Sequence, residues 1–135
     1  MKILFICKYN RFRSRIAQEI FNKINKNKEH EAKSAGMIQG SYPLDKEEIF
    51  VAKELGIKLK GKPKGLSTDL LKWHDTAIIV ADDVPKEILK DNYKFGKKLI
   101  VWKIKDAQSE NKEEIKSIIL DIKSKVEKFV KEIER

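Results

Sequence analysis

The chain alternates short apolar runs with longer stretches whose apolar residues recur every three or four positions. Ile3-Leu4-Phe5-Ile6 has the length and residue types of a buried strand. From Ile16 the pattern turns helical, with Ile16, Ala17, Ile20, Phe21 and Ile24 on one stripe and a polar turn over residues 25 to 28. Residues 31 to 35 predict a short strand closed by Gly36, and residues 37 to 44 a loop broken by Gly40, Ser41 and Pro43. Asp45 is placed to cap a helix that buries Ile49, Ala52 and Leu55 and stops at Gly56. Residues 58 to 65 read as a basic loop, after which Ser67 caps a short helix holding Leu70 and Leu71. Residues 76 to 81 form a second buried run ending in Asp82-Asp83, and Pro85 suits the first turn of a small helix through Leu89. Residues 98 to 103 predict another strand, and Asp106 lies at its exit. The last helix carries a continuous stripe from Ile115 through Ile118, Ile119, Ile122, Val126, Phe129 and Val130 to Ile133.

Strands alternating with helices predict an α/β fold, a parallel sheet covered on both faces within a single domain over residues 1–135. Ligands of such sheets bind beyond the carboxyl ends of the strands. Cys7, Gly36, Asp82 and Asp106 each follow a strand and are therefore expected along one edge.

Composition narrows the chemistry. Hydrophobic residues make up 41% and charged residues 38%, so a packed core is available and wholesale disorder is excluded. The net charge of +9 favours anionic partners. The lysines are spread along the chain, which reads as solvated surface, and nucleic acid is not an expected partner. One cysteine excludes an internal disulfide and a multi-cysteine zinc site, and no cofactor or metal is expected. No run approaches the ~20 apolar residues of a membrane span, and the first residues lack a secretory pattern. A cytoplasmic protein without membrane contact is expected.

The single thiol stands where the first strand gives way to a polar loop, and Arg13 and Ser14 precede the first helical residues. A strand, a short loop and a helix start make an anion site, because free N–H groups and the positive end of the helix dipole converge there. Lys8, Tyr9, Asn10, Arg11, Phe12 and Arg13 supply six such N–H groups, and Arg13 is suited to bidentate contact with phosphate oxygens. The same field favours negative charge on Cys7, and the Ser14 hydroxyl is placed to donate to its sulfur. A thiolate attacking phosphorus needs an acid for the departing oxygen. His30 and His74 sit at polar or strand-entry positions away from the site, leaving Asp82, Asp83 and Asp106 as alternatives.

Cys7-Lys8-Tyr9-Asn10-Arg11-Phe12-Arg13-Ser14, followed by Ile16-Ala17-Gln18-Glu19, resembles the signature of the low-molecular-weight protein tyrosine phosphatase family, whose relatives include arsenate reductases. The resemblance runs on through Ser34-Ala35-Gly36, residues 52 to 57, the strand ending in Ala81-Asp82, and Lys105-Asp106-Ala107, where the family carries Asp-Pro. It implies a three-layer α/β/α domain with a four-stranded parallel sheet and a cysteinyl-phosphate mechanism. It further implies Cys7 as nucleophile, Arg13 as phosphate clamp, Ser14 as support for the thiolate, and Asp106 as general acid and then base. Asn10 and Ser34 would hold the loop, with Asp82 in support. The implied substrates are a phosphorylated protein or a small phosphate ester, with phosphate-like anions bound at the loop.

Four departures qualify the match. Tyr9 stands where the family commonly has glycine, so the loop is expected to be crowded or to take another backbone there. Arg15 and Ala107 replace prolines, and the tyrosines that follow the aspartate in tyrosine-specific members are missing. Tyr9, Phe12 and Tyr42 are the aromatic residues left to wall the site, and Lys8, Arg11 and Arg15 give it a basic rim. Two alternatives follow. One is a non-catalytic binder of phosphorylated or nucleic-acid ligands; the other is an arsenate reductase served by an external thiol, because the chain has no second cysteine to resolve an adduct.

Overall fold

The computed structural model describes residues 1–40, 42–90, 96–107 and 111–134; Ser41, expected in the loop before the second helix, lies outside them. Strand β1 (Lys2–Cys7) is central, flanked by β2 (Glu31–Gly36) and β3 (Thr76–Val80), and β3 pairs in turn with β4 (Lys98–Trp102). Every pair is parallel and the order is β2-β1-β3-β4, the four-stranded sheet expected from the resemblance. All strands therefore deliver their carboxyl ends to the same edge.

The apolar run of β1 is fully buried because helices cover both faces. Ile3 and Phe5 pack with α1 (Arg13–Ile24), α2 (Lys46–Glu54) and α4 (Lys112–Ile133). Leu4 and Ile6 pack on the other side with α3 (Thr68–Trp73) and the 3-10 turn Lys86–Leu89. On the first face Phe5, Phe21, Phe129 and Trp102 close a ring of tilted and edge-on aromatic contacts, with centroids 6.0–6.4 Å apart. That ring ties α4 to the strands and explains why the last helix has so continuous a stripe.

Two expectations shift. Strand β4 ends at Trp102 rather than at residue 103, because the Ile104 N–H turns back onto the Trp102 carbonyl at 2.9 Å. Helix α2 buries Glu48, Val51 and Ala52, with Ile49 and Leu55 only half-buried. Its inner face is thus rotated so that a carboxylate points inward. Among the described residues no helix is long and apolar enough to cross a membrane.

Candidate active site

Cys7 ends β1, and the next five residues turn the chain into α1. Among the described residues, the backbone N–H groups from Lys8 to Arg13 find no protein acceptor. The N-cap residue Phe12 provides no side-chain cap, and the first turn of α1 holds no acidic residue. The positive end of the helix and a run of free donors are thus left open at one point, which is what an anion requires.

The loop is shaped by Asn10, the one non-glycine residue with positive φ (57°) among those described. A left-handed conformation costs about 1 kcal/mol for a residue with a side chain, less for asparagine, and persists only where surroundings impose it. The Asn10 amide donates to Ser14 Oγ at 2.8 Å and to Ser34 Oγ at 3.0 Å, and its Oδ1 accepts from the Lys64 N–H at 3.1 Å. The Ser34 hydroxyl in turn donates to Gln18 Oε1 at 2.6 Å. Ser14 Oγ lies 3.0 Å from Cys7 Sγ. Since Ser14 already accepts from Asn10, its proton is available to the sulfur, which stabilises negative charge there.

The strained position is therefore residue 10 and not residue 9. Tyr9 keeps negative φ, and its side chain is exposed, so the expected crowding does not occur. Tight space lies on the other side. A Cβ at Gly36 would stand 2.7 Å from the Tyr9 carbonyl carbon and 2.9 Å from the Asn10 nitrogen. Glycine at the end of β2 is what lets the loop pass so closely.

Arg13 is buried to 2% exposure and gathers the ends of β3 and β4. Its Nη1 donates to the Ile104 carbonyl at 2.8 Å and its Nη2 to Asp83 Oδ1 at 2.9 Å. Asp82 Oδ1 stands 3.6 Å from Nη1, and Asp106 Oδ2 3.8 Å from Nη2. The three carboxylates left open as acids thus meet at one guanidinium. Asp83 holds Arg13 more closely than Asp82, the residue the resemblance assigned to support. Asp106 also accepts from the Ala107 N–H at 3.0 Å and remains partly exposed, so it keeps access to solvent.

The rim differs from expectation. The Lys8 ammonium sits over the Tyr9 ring at 5.3 Å, and the Arg11 guanidinium over Tyr42 at 5.9 Å, with Arg11 Nε donating to the Pro43 carbonyl at 2.8 Å. Phe12 forms no aromatic wall: its ring is buried in the core with Phe5 and Ile16, because the loop enters α1 ring-inward. Arg15 is likewise absent from the rim. Its side chain is buried behind the loop, where backbone carbonyls absorb its donors. The histidines stay out of the site, His30 against the chain's amino group at 3.1 Å and His74 buried with its ring on the Leu70 carbonyl.

One residue was passed over altogether. Glu48 is 8% exposed, and its carboxyl is pushed up to about 8, first by burial and then by Asp45 and Asp106, against the pull of Arg11 and Arg13. As the third residue after the Asp45 cap it reads in sequence as part of a solvent-facing helix start. Because its folded value lies above the unfolded value of 4.5, the folded protein retains a proton that the unfolded chain releases between 4.5 and about 8. Stability from this group is present at low pH and lost as pH rises through that window. Glu48→Gln is expected to melt progressively higher than wild type as pH moves from below 4.5 to above 8. A difference in Tm that is constant with pH would contradict this assignment.

The comparisons with known proteins bear on the family and the fold. The family model described as low molecular weight phosphotyrosine protein phosphatase matches residues 2–135. No curated protein matches the chain in sequence. Among solved structures, a low molecular weight protein tyrosine phosphatase from T. tengcongensis is similar with TM-score 0.84 and 26% identity, over 98% of this chain and 99% of that one. The YwlE arginine phosphatase from Geobacillus stearothermophilus is similar with TM-score 0.84 and 18% identity, over 98% and 92%. An arsenate reductase from Archaeoglobus fulgidus is similar with TM-score 0.73 and 24% identity, over 95% and 98%. One architecture is therefore shared by proteins named for different reactions, and likeness of fold alone does not select a reaction.

Proposed function

Since this chain belongs to the low molecular weight phosphotyrosine protein phosphatase family, we propose that it is a cysteine-dependent phosphomonoesterase working through a cysteinyl-phosphate. The observation that carries the reading is Cys7 Sγ, 3.0 Å from the Ser14 hydroxyl, at the floor of a loop whose N–H groups have no acceptor among the described residues. Phosphate oxygens take up those donors. Arg13 contributes its guanidinium, for which the phosphate competes with Asp83 and Asp82.

In the first step the Cys7 thiolate attacks phosphorus, an S–P bond forms and the bond to the leaving oxygen breaks. The proton for that oxygen comes from Asp106. In the second step the Asp106 carboxylate takes a proton from water, the water oxygen attacks phosphorus, and the S–P electrons return to sulfur under the Ser14 hydrogen bond. No cofactor is needed, and the expected setting is the cytoplasm. Tyr9 was the residue that favoured a non-catalytic binder; its outward side chain and negative φ support the catalytic reading instead. With Cys7 the single thiol, arsenate reduction would require an external thiol.

Substrates are phosphate esters presented to a rim of Tyr9, Tyr42, Lys8 and Arg11. The test is rapid acid quenching of the protein during turnover of an aryl phosphate. One phosphoryl group on the Cys7 peptide, formed and lost at the rate of turnover, is the expected result. Hydrolysis without that adduct, or no hydrolysis, would overturn the reading.

A further inference from the structure

Behind the phosphate loop lies a second assembly that the reaction itself does not use. Arg15 is 9% exposed, and every nitrogen of its guanidinium donates to a backbone carbonyl: Nε to Asn10 at 2.8 Å, Nη1 to Lys60 at 2.7 Å, and Nη2 to Lys62. The carbonyls of Lys60 and Lys62 converge on one guanidinium because Gly61 between them has φ of +89°, a left-handed conformation suited to glycine. A Cβ at Gly61 would stand 3.4 Å from Arg15 Nη1, so the turn closes tightly around its guest. Residues 60 to 62 are thus a carbonyl cradle fitted to a planar cation.

The same segment grips the loop a second time. The Lys64 N–H donates to Asn10 Oδ1 at 3.1 Å, the Gly36 N–H to the Lys64 carbonyl at 2.8 Å, and the Leu66 N–H to the Gly36 carbonyl at 2.9 Å. Arg15 and Lys64 therefore hold opposite ends of Asn10, its main-chain carbonyl and its side-chain oxygen. Asn10 is the residue that carries the loop's left-handed turn. The guanidinium is also within electrostatic reach of Cys7 and Glu19, which counter the downward push of burial on its pKa.

We infer that Arg15 is a positioning residue. By clamping Asn10 to the strap of residues 60 to 66, it holds the N–H groups of residues 8 to 13 in their anion-binding arrangement before substrate arrives. The inference rests on reading those residues as the phosphate loop. It has a consequence that a purely structural arginine would not have, because lysine keeps the charge yet concentrates its donors on one nitrogen and lacks the planar fork that spans these three carbonyls.

The experiment compares wild type, Arg15→Lys, Arg15→Ala and Gly61→Ala, measuring kcat on an aryl phosphate and the binding of inorganic phosphate by calorimetry. In all three variants kcat and phosphate affinity are expected to fall ~10- to 100-fold, the scale set by a misplaced reacting geometry. Millimolar guanidinium ion is expected to restore part of both in Arg15→Ala and to leave wild type unchanged. Folded variants that match wild type within twofold in both quantities would overturn the clamp, as would losses in Arg15→Ala that guanidinium leaves untouched. Should Arg15→Ala not fold, the decision passes to Arg15→Lys and Gly61→Ala. If wild type binds phosphate without hydrolysing the ester, and Arg15→Lys binds it more weakly, the clamp stands and the phosphatase reading alone falls.

Discussion

Cys7→Ser is expected to lower aryl phosphate turnover by at least about a thousandfold while leaving the binding of inorganic phosphate nearly intact. The two effects separate because two sets of atoms are involved. On the proposed reading, binding draws on the main-chain N–H groups of residues 8 to 13 and on Arg13, none of which the substitution touches. Turnover draws on the sulfur, a far better nucleophile near neutral pH than a serine hydroxyl, and Ser14 lies 3.0 Å away to stabilise it. Calorimetry and steady-state rates on the same preparation make the comparison. Substantial turnover by Cys7→Ser would remove the thiol from the mechanism, and loss of phosphate binding would mean that the sulfur holds the loop's shape.

The second large effect belongs to the acid. Asp106→Asn is expected to lower kcat by ~10²- to 10⁴-fold on esters with poor leaving groups. The loss should shrink as the leaving group becomes more acidic, since a stable leaving anion needs no proton. The acidic limb of the pH–kcat profile is expected to change with it. Asp83→Asn removes the negative charge of the carboxylate that accepts from Arg13 Nη2 at 2.9 Å and should alter phosphate contact without that dependence on leaving group. Asp82→Asn, whose carboxylate is 3.6 Å from Nη1, should have the smallest effect. If Asp83→Asn rather than Asp106→Asn shows the leaving-group dependence, the roles are exchanged.

Much of this fold could be read from residue types alone, for physical reasons that differ between elements. The run Ile3–Ile6 has no polar position to expose, so only a central strand with helices on both faces suits it, and β1 is that strand. The stripe of α4 repeats at helical spacing from Ile115 to Ile133 of a 22-residue helix, too long for chance. The spacing of Cys7, Arg13 and Ser14 likewise marked the loop. The features that escaped depend on partners distant in the chain. Arg15 reads as one more surface cation because two of its three carbonyl acceptors are 45 and 47 residues away. Glu48 reads as a helix-start carboxylate, and only the packing of α2 turns it inward. Tyr9 drew suspicion that belonged to its neighbour, since which residue takes the left-handed turn is decided by the hydrogen bonds of Asn10 rather than by side-chain type at residue 9.

The partners of Asn10 and Arg13 also set an order of events during biosynthesis. Asn10 is held by side chains 4 and 24 residues away and by a main-chain group 54 residues away, while Arg13 waits for acceptors 70 and 91 residues further on. Residues 7 to 14 precede almost all of these partners in the chain, so the described shape of the loop waits on segments made after it. The geometry around Cys7 is thereby tied to completion of the sheet, so that on the proposed reading a chain lacking residues 83 to 104 has the thiol without the frame that would make it reactive.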